Sequence, residues 1–229
     1  MLLEDRLGDH RQDVGHGGAK LTRLVALVAS GLLLWWLAMA DPAKRRATYA
    51  DVLNAPPNTV AEILFGVLHT HPRPAIAHAR AASALGIKLG GPFDFGSGGP
   101  GGWIFLDEPE LHLGPDPDVV VPDLAGWRRD RMPSLPASAA ITTAPDWACE
   151  VLSPRTQATD RSDKMDIFAR EGVGHLWLVD PIARTLESYE LEQNRWVRLG
   201  SWRGEATVRA KPFDAVELEL GALWIQATA

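Results

Sequence analysis

Val119-Val-Val-Pro-Asp123, Asp146-Trp-Ala-Cys-Glu-Val-Leu-Ser-Pro154 and Asp160-Arg-Ser-Asp-Lys-Met-Asp-Ile-Phe-Ala-Arg-Glu-Gly172 decide how this chain is read. The first two are apolar runs of strand character, and each is bounded by proline. Asp123 closes the first run, Glu150 lies inside the second, and Lys164 sits on the helix that the third implies. An acid at a strand end, an acid within a strand and a nearby lysine are the parts that metal-assisted phosphodiester hydrolysis needs. Carboxylates hold a hard cation, and an ammonium group stabilises developing negative charge.

Each residue also has a plainer role. Strand alternation would turn Glu150 to solvent and leave Cys149 and Val151 facing the core. Buried instead, its carboxylate needs a metal or a partner charge. Asp123 would emerge at a strand edge, or simply cap the turn into Leu124-Ala-Gly126. Asp118 is a rival for the same part, but it precedes the apolar run and reads as turn chemistry. Lys164 follows Asp160 by four residues, a helical pair that contributes only ~0.2–0.5 kcal/mol. Its helix begins soon after the Glu150 strand, however, and that placement aims the ammonium back at the carboxylates.

The bulk properties narrow the class. The 229 residues suffice for one well-buried domain, or one domain with an appendage. Nine Trp against two Tyr points to packing. The single cysteine, Cys149, excludes an internal disulfide framework and a cysteine-rich zinc site. A net charge of -6 argues against a generic charge-driven nucleic-acid binder, though not against a local basic rim or bound divalent cations.

Residues 1–46 read as an N-terminal extension. Within it, Leu24 to Ala40 is uncharged and apolar, between Arg23 and Lys44-Arg45-Arg46. It barely reaches the ~17-residue minimum for a membrane span. Three readings compete: a membrane anchor, a signal peptide cleaved near Ala38-Met39-Ala40, and a true start at Met39. The last is preferred, because Glu4, Asp5, Asp9 and Asp13 are unlike a signal peptide's leading region. It places the protein in the cytoplasm; the other two make it membrane-anchored or exported.

Residues 47–229 read as a single domain. Ala47 to Leu53 reads as a short helix stopped by Pro56-Pro57, and Val60 to Leu68 as a strand pair or a strand and turn, with Gly66 as the bend. Ala75 to Leu89 reads as a helix anchored by Ile76, Leu85 and Ile87. Gly90 to Gly102 is a glycine-dense loop that lacks the Gly-Lys-Ser/Thr ending of a phosphate-binding P-loop. Strands are expected at Trp103–Leu106, Val119–Leu124, Trp147–Leu152 and His175–Val179. Thr159 or Asp160 would cap a helix that runs to Glu171 and stops at Gly172. Thr185 to Leu191 and Arg195 to Trp202 read as a hairpin around Gln193-Asn194, and Ala215 to Leu220 as a last apolar run. Helices and strands intermix, so the class is α/β with a mixed sheet.

Taken in order, Val121-Pro-Asp-Leu124, Pro145-Asp-Trp-Ala-Cys-Glu-Val-Leu-Ser-Pro-Arg-Thr156, Asp160-Arg-Ser-Asp-Lys164 and Phe168-Ala-Arg-Glu-Gly-Val-Gly-His-Leu-Trp-Leu-Val-Asp-Pro181 resemble one family. It is the Uma-two family of bacterial restriction endonucleases, a branch of the PD-(D/E)XK nuclease superfamily. The resemblance runs from about Ala47 onward. It implies a restriction-endonuclease-like mixed β-sheet core flanked by helices, and a Mg²⁺- or Mn²⁺-dependent endonuclease acting on DNA. By that resemblance Asp123 and Glu150 are the metal-binding acids and Glu62 a further carboxylate of the site. The superfamily's usual lysine position, two residues after the glutamate, is Leu152 here, which makes Lys164 the catalytic lysine.

The chain also departs from the family. Phe65 and Val67 stand where the family commonly carries acids after Glu62, and Arg155 replaces a frequent serine. His78 falls where a histidine is frequent. Arg128, Arg129 and Arg131 are candidate phosphate contacts, or a solvated loop. The competing function is a catalytically inactive nuclease fold kept as a binding or interaction module. A homodimer is among the assemblies left open.

Overall fold

The computed structural model describes residues 45–225. The expected extension, apart from Arg45 and Arg46, and its apolar run at 24–40 lie outside the described residues. From Arg46 onward the chain forms one compact unit. Among the described residues no helix is long and apolar enough to cross a membrane.

The described residues form two main sheets, a two-stranded ribbon and two main helices. A short helix α1 (Tyr49–Leu53) leads into β1 (Thr59–Leu64) and β2 (Val67–Pro72). Their tight turn is Phe65-Gly66, at φ 51° and 79°. Positive φ at both turn residues matches the right-handed twist of paired strands, so the bend expected at Gly66 is a two-residue hairpin. After β2 comes α2 (Ile76–Leu89), which widens into a π-helical turn at Gly90–Asp94. The glycine-dense segment therefore starts as ordered helix and not as loop, with Phe93 buried.

Strands β3 (Trp103–Asp107), β4 (Leu111–Leu113), β5 (Asp118–Val120), β6 (Leu124–Arg128) and β7 (Trp147–Val151) follow. Helix α3 covers 157–170, with a π-helical stretch at Asp160–Lys164 in its middle. It starts at Gln157, before the expected cap at Thr159 or Asp160. Ser153 provides the entry, its hydroxyl accepting the Thr156 N–H at 3.2 Å, and Gly172 ends the helix region at φ 74°. Strands β8 (His175–Asp180), β9 (Thr185–Glu192), β10 (Arg195–Arg203), β11 (Thr207–Val208) and β12 (Leu218–Glu219) complete the unit. The β9–β10 turn is Gln193-Asn194, as expected, again with both φ positive.

The six-stranded sheet runs β10-β9-β8-β7-β6-β3, and the smaller one β2-β1-β5-β4. Only the β7–β8 pair in the large sheet is parallel; its other neighbours are antiparallel. The mixed α/β class holds. One expected strand, Val119–Leu124, divides: β5 belongs to the small sheet and β6 to the large one. Pro122 lies in the gap. It has no N–H to donate, so neither ladder can run through it.

Alternation along the large sheet feeds a core on each face. Cys149, Val151, Trp177 and Val179 pack with Leu85 and Leu89 of α2. Ala148, Leu176 and Leu178 face the other way, onto Ile167 and Phe168 of α3 and Leu64, Leu111 and Val120 of the small sheet. Ile76 and Ile87 do not anchor α2; they are 81% and 75% exposed, while Ala81, Ala84, Leu85 and Leu89 form its inner stripe. The tryptophans do pack. The Phe213 ring lies 4.9 Å from Trp103, 5.1 Å from Trp147 and 5.5 Å from Trp177.

Candidate active site

Glu150 occupies the inner face of β7 between Ala148 and Leu152, on the side that faces α3. It is only 1% exposed, so alternation turns it inward and not to solvent. In the antiparallel β6–β7 register Leu124 pairs with Cys149. Asp123, one residue earlier, therefore stands opposite Glu150. Its Oδ2 accepts the Val151 N–H at 2.6 Å, pinning the crossover from the small sheet to the edge of β7. Glu62 reaches the same place from β1, where its Oε1 accepts the Val121 N–H at 2.8 Å.

Lys164 arrives from α3 on the opposite side. Its Nζ lies 3.0 Å from Glu62 Oε1, 3.1 Å from Glu150 Oε2 and 3.2 Å from the Val121 carbonyl. An ammonium has three protons, and these three oxygens use them all. The Asp160 carboxylate, one helical turn back, is 3.7 Å away. The helical pair anticipated from sequence exists, but it is buried and joined to two more acids. Leu152, two residues after Glu150, is buried in the core. The ammonium reaches Glu150 from the helix instead.

The structure thus brings Glu62, Asp123, Glu150 and Lys164 to one cleft of about 480 Å³. His71, Asp160 and His78 join them, with Arg73, Glu108 and Arg155 at the same walls. His78 of α2 sets Nε2 3.1 Å from Asp123 Oδ1, and His71 of β2 sets Nε2 3.6 Å from Glu62 Oε2. The sequence reading missed His71 and treated Asp160 only as a cap or helical partner. A signal existed for His71: with the hairpin bent at Gly66, it falls diagonally across from Glu62.

Four carboxylates around one lysine leave the pocket rich in negative charge. Burial drives the Glu150 carboxyl well above the usual carboxylate range; Lys164 opposes this, but Asp160, Asp123 and Glu62 reinforce it. Asp160 is raised mainly by burial. Burial would raise Glu62 too, yet Lys164, His71 and the Val121 N–H together hold it below its ordinary value. Burial disfavours the Lys164 ammonium, but the surrounding carboxylates, Glu150 foremost, keep its pKa well above that of a free lysine. His78 is lowered by burial and raised more by Asp123, for a net rise.

Glu150 Oε1 is a buried acceptor with no hydrogen-bond partner. Buried polar atoms left without partners are uncommon, and one in an acid cluster fits a site for a cation. No group of three His, Cys, Asp or Glu side chains among the described residues forms a ready metal cage. Mg²⁺ does not require one, since it commonly binds through one or two carboxylates, with water and phosphate oxygens completing its shell.

Other candidates lie elsewhere. Asp118 is structural: its Oδ1 accepts the Phe65 N–H at 2.5 Å and its Oδ2 the Arg170 guanidinium at 2.7 Å. Arg129 and Arg131 pair with Asp94 and Asp146, and Arg128 stacks over Trp103 at 4.7 Å. None of these three arginines lines the cleft. Phe65 and Val67 are exposed beside the hairpin turn.

The fold agrees with the comparisons. A solved structure, titled as a putative nuclease belonging to DUF820 from Anabaena variabilis ATCC 29413, superposes with a TM-score of 0.61 at 21% identity. The match covers 77% of this chain and 97% of that one, so the two share a fold. No curated protein matches the sequence. The family model Uma2, described as "Putative restriction endonuclease", matches residues 47–221. The chain belongs to the Uma2 family of restriction-endonuclease-like proteins.

Proposed function

We propose that the protein hydrolyses DNA phosphodiester bonds with Mg²⁺ or Mn²⁺. One observation carries the reading: Lys164 Nζ lies within 3.1 Å of Glu150 Oε2 in a cleft shared with Asp123, while Glu150 Oε1 has no partner. Asp123 and Glu150 are the donors for the cation, and their oxygen-only chemistry suits a hard ion. When bound, such an ion neutralises phosphate charge and activates a water molecule for attack. Lys164, held by Glu62, Glu150 and the Val121 carbonyl, would place its positive charge near the negative charge that develops on the phosphoryl group. His78 orients Asp123, Glu62 holds the crossover and the lysine in place, and burial strengthens each interaction by lowering the local dielectric.

A second reading is favoured by the same lysine. Its three protons already have three oxygen partners, as a permanent internal counter-ion would. In that case the fold serves as a binding module. Incubating the purified protein with DNA and Mg²⁺ or Mn²⁺, beside Asp123→Ala, Glu150→Ala and Lys164→Ala, separates the two. The hydrolase reading expects metal-dependent cleavage that each substitution abolishes. Absence of cleavage on every DNA form tested supports the binding module.

A further inference from the structure

Two clefts meet at the acids. The first carries Glu62, Glu150, Asp160 and Lys164. The second, about 470 Å³, opens along α2 and the π-helical turn that follows it. Pro74, His78, Glu108 and Asp123 line both. One groove therefore runs past Asp123, with an arm on each side.

The arms differ in chemistry. In the first, Arg73 and Arg155 are exposed, and neither guanidinium has a hydrogen-bond or ion-pair partner among the described residues. Among the described residues most arginines are otherwise engaged; Arg129, Arg131, Arg161 and Arg170 each hold a carboxylate. In the second arm, Phe95 is 82% exposed and Ile87 75% exposed. The Phe95 N–H donates to the Gly90 carbonyl at 3.0 Å, so the backbone that presents this ring is fixed. Single exposed apolar residues are ordinary on protein surfaces. Two that line one arm of a groove, with two arginines that hold no partner on the other arm, form a pattern.

We propose that this groove takes single-stranded DNA, with phosphates held at Arg73 and Arg155 and a nucleobase stacked on Phe95. The inference rests on the phosphodiesterase reading and names the form of substrate. Phosphate contacts alone would suit a duplex equally well. An apolar ring on the adjoining arm serves only a strand whose base faces are free, because a duplex keeps them stacked inside. Aromatic platforms flanked by cationic groups are how single strands are held without sequence preference. The net charge of -6 also leaves little general attraction for duplex DNA, so binding must come from local groups of this kind.

Fluorescence anisotropy with a labelled deoxyoligonucleotide, alone and annealed to its complement, tests this in Ca²⁺; cleavage is measured separately in Mg²⁺ or Mn²⁺. The expected result is single-strand affinity at least about tenfold above duplex affinity. Phe95→Ala should weaken single-strand binding by about tenfold and leave duplex binding unchanged. Arg73→Ala and Arg155→Ala should each flatten the logarithmic salt dependence by roughly 0.7. All three side chains are exposed, and thermal melts of the variants establish that the fold is kept. Equal affinity for both DNA forms, or a silent Phe95→Ala, overturns the inference. Cleavage without strand preference also overturns it and leaves the hydrolase reading standing. Selective single-strand binding without any cleavage supports the groove and removes the hydrolase.

Discussion

Lys164 is the residue on which the site's electrostatics turn. Buried at 5% exposure, it is the counter-ion of Glu62 and Glu150. Removing one member of a buried charged set strands the others, at a cost of about 3–5 kcal/mol. Lys164→Met should lower the urea midpoint accordingly, and an unchanged midpoint would show that the carboxylates do not depend on it. Cys149 offers a contrasting test. Burial, with Asp123 and Glu150 nearby, pushes its thiol well above the ordinary range, so a disulfide reagent should leave it untouched in the native state and label it fully in urea. Asp123, Glu150 and Lys164 were legible in the sequence because strand, strand and following helix fix their order. Asp160 was half legible: its spacing to Lys164 was clear, but its burial depended on a helix beginning at Gln157. The fate of Arg129 and Arg131 was not legible, because Asp94 and Asp146 reach them only through tertiary packing.

Among the elements, the β6–β7 pair sets the site's geometry, and its packing is tight. A Cβ added at Gly126 would lie 2.9 Å from the Phe105 ring and 3.3 Å from Trp147. Gly126→Val should therefore cost about 1–3 kcal/mol through overpacking, measured by denaturant unfolding. Strand β8 carries a pH signature. Burial is the first cause that lowers the His175 pKa below its ordinary value, partly opposed by Glu190. A histidine depressed in the fold contributes stability that is present above its unfolded pKa of about 6.5 and lost as pH falls through the folded value. The difference in unfolding midpoint between wild type and His175→Gln should thus shrink or reverse between pH 7.5 and pH 5. Both hairpins were readable, because Gly66 and Asn194 supply residues that accept positive φ. The split of Val119–Leu124 between two sheets was not inferred, although Pro122 was visible. A proline shows where a ladder stops, not which sheet the chain joins next.

For the whole molecule, two cores share one sheet, and Phe213 links the aromatic residues of one of them. Phe213→Ala should cost about 3–5 kcal/mol, visible as a lower melting temperature. The abundance of tryptophan foretold packing, but no periodicity marked Phe213, which lies between short strands in a segment with little regular structure. The mixed α/β class followed from the intermixed strand and helix signals. The meeting of two sheets at a buried lysine needed the fold. On the proposed function, Glu62, Asp123, Glu150 and Lys164 form a cation-dependent hydrolytic site. Its most direct test is the initial rate of Mn²⁺-dependent cleavage of a labelled oligonucleotide by wild type and by Glu150→Gln. A working site gives cleavage by wild type and a loss of at least about 10²-fold in the variant; equal rates for the two proteins would rule it out.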